Sequence, residues 1–227
     1  MRKSIILIAV ALLLAVSGYT LIKSKGTAEK ILPSKGITET KNTIVFLGDS
    51  VTAGYGVESS QAFPYLISEY WKDNNISFTS KNEGISGDTT TGVLSRLDSI
   101  LADDIYMVFL EIGANDAFAK TDVRVIKDNI KTIIQRIQDR QIKVVLMAMD
   151  LPKVAYLKDA DYVKSFAAIY EEVGKELEIP VMPSLVKEND NKNDIWQEDR
   201  IHPSSKGHQV LARNVLKFLN KEWVYDK

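Results

Sequence analysis

Two hydrophobic periods alternate along residues 43–223. Thr43 to Leu47 is a short apolar, β-branched run that stops at Gly48, which predicts a strand buried on both faces. Ile76 to Asn82, Ile105 to Ile112, Lys143 to Met149 and Ile179 to Met182 predict four more strands. Between and after them, helical spacing runs through Ala62 to Lys72, Thr90 to Leu101, Val123 to Gln138, Tyr162 to Leu177 and Ser205 to Trp223. The third of these is the clearest, because Ile126, Ile130, Ile133, Ile134 and Ile137 fall on one helix face. Leu211, Val215, Phe218, Leu219 and Trp223 form a second such stripe, and both are simplest as core. Five strands alternating with five helices predict an α/β fold, a doubly wound three-layer α/β/α sandwich around a five-stranded, mainly parallel sheet.

The N-terminus has a different pattern. Arg2 and Lys3 precede twelve unbroken apolar residues, Ile5 to Val16, and no charge occurs from Ser4 to Ile22. A basic start, an apolar stretch and the small residues Ala15, Ser17 and Gly18 fit a secretory signal cut near Ala15-Val16-Ser17. The charge-free run would be roughly 28 Å long as a helix, so it also fits a single membrane-spanning anchor. Lysines at 23, 25 and 30 balance Arg2 and Lys3, so flanking charge gives little guide to orientation. The expected location of the rest of the chain is extracytoplasmic, secreted or tethered, with the orientation of an uncut anchor left open. The expected organisation is a signal peptide or anchor at 1–23, a polar linker with Gly26, Pro33 and Gly36 at 24–42, and a domain at 43–221.

Composition narrows the chemistry further. The 227 residues are 45% hydrophobic and 26% charged, with 29 Lys and Arg against 30 Asp and Glu, which excludes a disordered or low-complexity chain. A formal charge of -1 without a basic stripe gives no footprint for nucleic acid. Residues 1–25 hold four of the positive charges and no acid, so the remainder carries -5. With no Cys, and two His that lack HExxH spacing, neither a metal nor a cofactor is expected, and any nucleophile is an oxygen.

In open α/β sheets polar chemistry gathers beyond the carboxyl ends of the strands. Gly48-Asp49-Ser50 follows the first strand, Gly84-Ile85-Ser86-Gly87-Asp88-Thr89 the second, Gly113-Ala114-Asn115-Asp116 the third, and Asp199-Arg200-Ile201-His202 the fifth. Each has an ordinary explanation taken alone: Ser50 as a cap, Gly87 as a turn glycine, Asn115-Asp116 as a capped turn, Asp199 as a solvated acid. Their convergence on one rim is what those explanations omit. A serine, a histidine, a carboxylate, Gly-rich turns and an Asn amide are the parts for acyl transfer through a serine nucleophile.

From about Thr43 to Leu219 the chain resembles the SGNH hydrolases, also called the GDSL family, and within them the bacterial thioesterase, arylesterase and lysophospholipase enzymes. The four family blocks occur in order as FLGDSVTAGYG, NEGISGDTT, EIGANDAF and DRIHPSSKGH. The resemblance implies a flavodoxin-like layering, Ser50 as nucleophile, Asp199 and His202 as the other triad members, and Ser50, Gly87 and Asn115 as the oxyanion hole. It also implies small acyl ester, thioester or lysolipid substrates. Thr52 stands where a GxSxG elbow would have its second Gly, so that pattern does not apply.

His208 is the other candidate base, but it falls inside the last helical pattern without a carboxylate at similar local spacing. Asp49 and Asp116 read as holders of turns. Tyr55, Phe63, Phe118, Leu151, Tyr156 and Leu157 are candidates to line an acyl groove. The alternatives are an O-acetyl esterase acting on cell-envelope carbohydrate, a nucleotide-binding module of flavodoxin type, and an inactive tethered binding domain. GDSVTAG is a poor phosphate cradle, and a full set of catalytic residue types argues against inactivity.

Overall fold

The structure is a computed structural model that describes residues 41–151, 159–185 and 193–223. The expected signal or anchor at 1–23, and the linker up to residue 40, lie outside the described residues.

Strands β1 (Thr43–Gly48), β2 (Thr79–Gly84), β3 (Ile105–Glu111), β4 (Lys143–Met147) and β5 (Val181–Met182) form one sheet in the order β2-β1-β3-β4-β5. Every neighbouring pair is parallel, so the expected mainly parallel sheet is wholly parallel among the described residues. β1 is the switch point, since the chain moves to one side of it for β2 and to the other for β3.

Alternation along β1 divides the core into two layers. Val45 and Leu47 pack with α3 (Thr90–Ile100), α5 (Val123–Gln138) and α6 (Ala160–Glu176), where the Ile126 to Ile137 stripe is fully buried. Ile44 and Phe46 face α2 (Phe63–Asp73) and α7 (Ser205–Trp223) through Phe63, Ile67, Trp71, Leu211 and Val215. Phe46 meets the Phe63 ring edge-on at 5.3 Å. Two short helices that no period announces, α1 (Ser50–Ala53) and α4 (Ala114–Phe118), start directly beyond β1 and β3.

The second strand departs most from expectation, since β2 begins at Thr79, three residues after the predicted start, and runs to Gly84. Ile76 donates its N–H to Trp71 O at 2.8 Å and ends α2, while Phe78 is buried against Trp71. The apolar residues there close a helix, and the strand itself is polar because it lies at the sheet edge. At the other edge β5 is only two residues long. Helix α6 starts at Ala160, two residues early, because Asp159 caps it by accepting the N–H of Tyr162 at 3.0 Å.

Candidate active site

Register brings the first three loops together. Gly48 is paired with Gly84 on one side and Glu111 on the other, so Ser50, Gly87 and Asn115 all lie within a few residues of one row of the sheet. Asp49 caps α1 by accepting the Val51 N–H at 3.1 Å, which makes Ser50 the first helical residue. Asn82 fastens α1 to β2 by donating to Thr52 O at 2.9 Å.

The segment carrying Asp199 and His202 is held from both ends. Trp196 and Pro203 form an isolated antiparallel bridge, and the N–H of Gln197 donates to His202 O at 2.9 Å. The Gln197 amide also donates to Tyr55 O at 2.7 Å and Pro203 O at 2.9 Å, tying this loop to the one after α1. Between those anchors Asp199 Oδ1 accepts the N–H groups of Ile201 and His202 at 2.9 and 3.0 Å. Its other oxygen lies 2.6 Å from His202 Nδ1, and His202 Nε2 lies 2.9 Å from Ser50 Oγ. With Asp199 ionised, Nδ1 carries the proton and Nε2 is free to accept from the serine. Partial burial works against the Asp199 charge, but the His202 ring and the two backbone donors outweigh it and hold this carboxyl below its usual value. Tyr55 covers the imidazole, with ring centres 4.5 Å apart.

Beyond β2, Gly87 has φ +83° and open space beside its Cα, so the left-handed backbone and not crowding calls for glycine here. Beyond β3, the Asn115 amide nitrogen donates to Asp88 O at 2.8 Å and to Asp49 Oδ2 at 3.3 Å. Asp116 faces away from the reacting groups: it is buried and accepts the Thr90 N–H and hydroxyl at 2.8 and 2.7 Å. His208 is fully buried, accepts the Phe63 N–H on Nδ1 at 3.3 Å, and stands apart from the triad arrangement.

Next to Ser50 and His202 is a cavity of about 210 Å³. Val51, Phe118, Met147, Met149, Leu185, Trp196 and Ile201 give it an apolar wall, and Asn115 and Asp150 reach its edge. Of the expected groove residues that the structure describes, only Phe118 lines it. Phe63, the first residue of α2, is core on that helix's side of the sheet, and Leu151 is core on the other. Tyr156 and Leu157 lie outside the described residues. Met147, Met149, Leu185 and Trp196 were hidden in the sequence, since their role depends on β4, β5 and the Trp196 bridge meeting in space. Glu111 was hidden too: it reads as the end of a strand, yet it is a fully buried carboxyl behind Ser50.

Residues 46–210 match the sequence profile of the GDSL-like Lipase/Acylhydrolase family. The thioesterase 1/protease 1/lysophospholipase L1 of Escherichia coli K12 is 30% identical over 172 residues, covering 75% of this chain and 80% of the relative. An arylesterase of Vibrio mimicus is 29% identical over 185 residues, covering 81% and 91%. Among solved structures, the psychrotrophic esterase EstA from Pseudoalteromonas superposes with a TM-score of 0.75 at 25% identity, covering 82% of this chain and 100% of that one.

Proposed function

We propose that this chain, which belongs to the GDSL-like Lipase/Acylhydrolase family and is a carboxylic ester or thioester hydrolase, acts through Ser50, His202 and Asp199. The observation that carries this reading is the continuous line from Asp199 Oδ2 through both ring nitrogens of His202 to Ser50 Oγ. A serine hydroxyl is a weak nucleophile at neutral pH, so His202 Nε2 takes its proton as Oγ attacks the acyl carbonyl. Asp199 keeps the ring in the productive tautomer and stabilises the imidazolium. The imidazolium then protonates the leaving alcohol or thiol, and water releases the acyl group from Ser50 by the same base. The backbone N–H groups of Ser50 and Gly87 and the amide of Asn115 receive the charge on the tetrahedral oxygen, where losing one donor costs on the order of a hundred- to a thousandfold.

The apolar wall of the cavity supports short or medium acyl chains as its occupants, with lysolipids among them. Replacing Ser50 with Ala tests the whole reading: hydrolysis of p-nitrophenyl acyl esters should fall to background with the fold intact, and unchanged turnover would sink it. A series from acetyl to octanoyl esters and thioesters then separates acyl-chain selection from O-acetyl removal, because an acetyl optimum contradicts a role for the wall. We also propose, from residues 1–23 of the sequence, that the chain is exported, either cut free or held at a membrane. Fractionation of cells making the full-length chain tests that.

A further inference from the structure

We propose that Glu111 is a neutral carboxylic acid in the working enzyme, and that the proton it shares with Asp49 fixes Asp49 as the acceptor that positions the Asn115 amide. The inference rests on Asn115 and Ser50 being parts of the reactive site. Glu111 closes β3 with no exposed surface, and Asp49 is 1% exposed. One oxygen of Glu111, Oε2, accepts the Thr52 N–H at 3.2 Å and the Thr52 hydroxyl at 2.7 Å. The other, Oε1, receives no N–H or O–H bond. Asp49 follows Gly48, the register partner of Glu111, so the two buried groups are neighbours, and each carboxyl acts on the other. Glycine at 48 makes room for the Thr52–Glu111 pair, since a Cβ there would lie 2.7 Å from Glu111 Oε2 and 2.2 Å from Thr52 Oγ1.

Two carboxylates this close and this buried cannot both be ionised, so one keeps a proton. The donors decide which. Asp49 accepts from Val51 N at 3.1 Å and from Asn115 Nδ2 at 3.3 Å, and the His202 charge favours its ionised form. Glu111 accepts from Thr52 on one oxygen and is also approached by the Asp49 N–H, but its other oxygen is left without a hydrogen bond and the Asp49 charge bears on it. The proton therefore sits on Glu111 Oε1 and is donated to Asp49. Burial raises both groups, Asp49 to about 6 and Glu111 well above its usual value, and the Asp49 charge raises Glu111 further.

The consequence lies in Asn115. Its amide nitrogen is suspended between Asp88 O and Asp49 Oδ2, so the direction of its N–H groups depends on where the Asp49 carboxylate points. Without the Glu111 proton that carboxylate loses its buried donor and can turn, and a displacement of about an ångström at a catalytic donor costs up to a hundredfold. Glu111 is thus a positioning residue that acts through Asp49.

Two substitutions in the full-length chain and one spectrum test this. Glu111→Leu should lower kcat ten- to a hundredfold, an order-of-magnitude expectation, with KM nearly unchanged. Glu111→Gln can donate to Asp49 and accept from Thr52, so it should recover most of the lost kcat. An infrared difference spectrum of wild type against Glu111→Gln, at about pH 8 where ordinary carboxyls are ionised, should contain one carboxylic acid C=O band belonging to the wild type. If Glu111→Leu does not fold, the Gln variant and the spectrum still decide. A Gln variant as impaired as the Leu variant, an effect on KM instead of kcat, a fully active Leu variant, or a missing band each overturns the proposal. The band is read without substrate, so an active Ser50→Ala enzyme would remove the site reading and leave the protonation result standing.

Discussion

His202 and His208 lie six positions apart in the sequence and in different solvents. The first has a carboxylate on one nitrogen and a hydroxyl on the other, and the second is sealed between helices with its Nδ1 on a backbone N–H. Burial, and to a smaller degree the His202 charge, lower His208 from 6.5 to about 4. The folded ring resists a proton that the unfolded chain accepts, so stability from this residue is full above about pH 6.5 and is lost as pH falls toward 4, by on the order of 3 kcal/mol. Asp49 and Glu111, both raised, shift stability the opposite way over part of that range. The clean measurement is therefore a difference: between neutrality and about pH 4, wild type should lose about 3 kcal/mol relative to His208→Gln, which keeps an acceptor for Phe63. Parallel unfolding curves for the two proteins would contradict it. The sequence allowed the two histidines to be told apart, since one follows an acid by three residues and the other sits in a helical stripe. Glu111 could not be found this way, because a strand-end Glu is normally exposed and its burial comes from the Gly48 contact across the sheet.

Among the elements, α3 links packing to chemistry. Its inner face buries Val93, Leu97 and Ile100, while Arg96 on its flank reaches the loop after β2. The Arg96 Nε donates to Asp88 Oδ2 at 2.8 Å, and Nη2 donates to Glu83 O at 2.9 Å and more weakly to Gly48 O at 3.4 Å. Asp88 in turn offers its carbonyl to Asn115, so one guanidinium steadies the Gly87 loop and the Asn115 amide together. Arg96→Met should keep the fold and lower kcat about tenfold or more with a small change in KM, with Lys restoring only part because it lacks the planar fork. Steady-state kinetics on both variants check this, and wild-type kcat in the Met variant would show that the loop holds itself. Helices of three or more turns were legible because their stripes face a flat sheet. β2 was displaced in the reading because its ladder is polar and its apolar neighbours belong to the end of α2. α1 and α4 were invisible because four or five residues cannot display a period.

At the scale of the molecule, the sequence named the Ser50, His202 and Asp199 side chains that the fold brings together, and left most of the wall of the cavity beside them unannounced. The groups stand next to strand ends, where local order along the chain predicts location. The cavity wall is drawn from β4, β5 and the loop around Trp196, and no local pattern announces such a meeting. The full-length chain should appear outside the cytoplasm, in the membrane fraction if residues 1–23 are retained and shortened in the soluble fraction if they are cut; an unshortened soluble cytoplasmic protein would overturn the proposed export. The order of parts along the chain then has a consequence for timing. Ser50 and its partner His202 are 152 residues apart, and Gln197 and Trp196, which hold the His202 loop in place, are on the distal side as well. A chain that leaves the ribosome or a translocation channel N-terminus first presents its serine long before anything can deprotonate it. If the chain is exported as proposed, the hydrolase is unarmed throughout its own passage and calls for no separate inhibitor on the way.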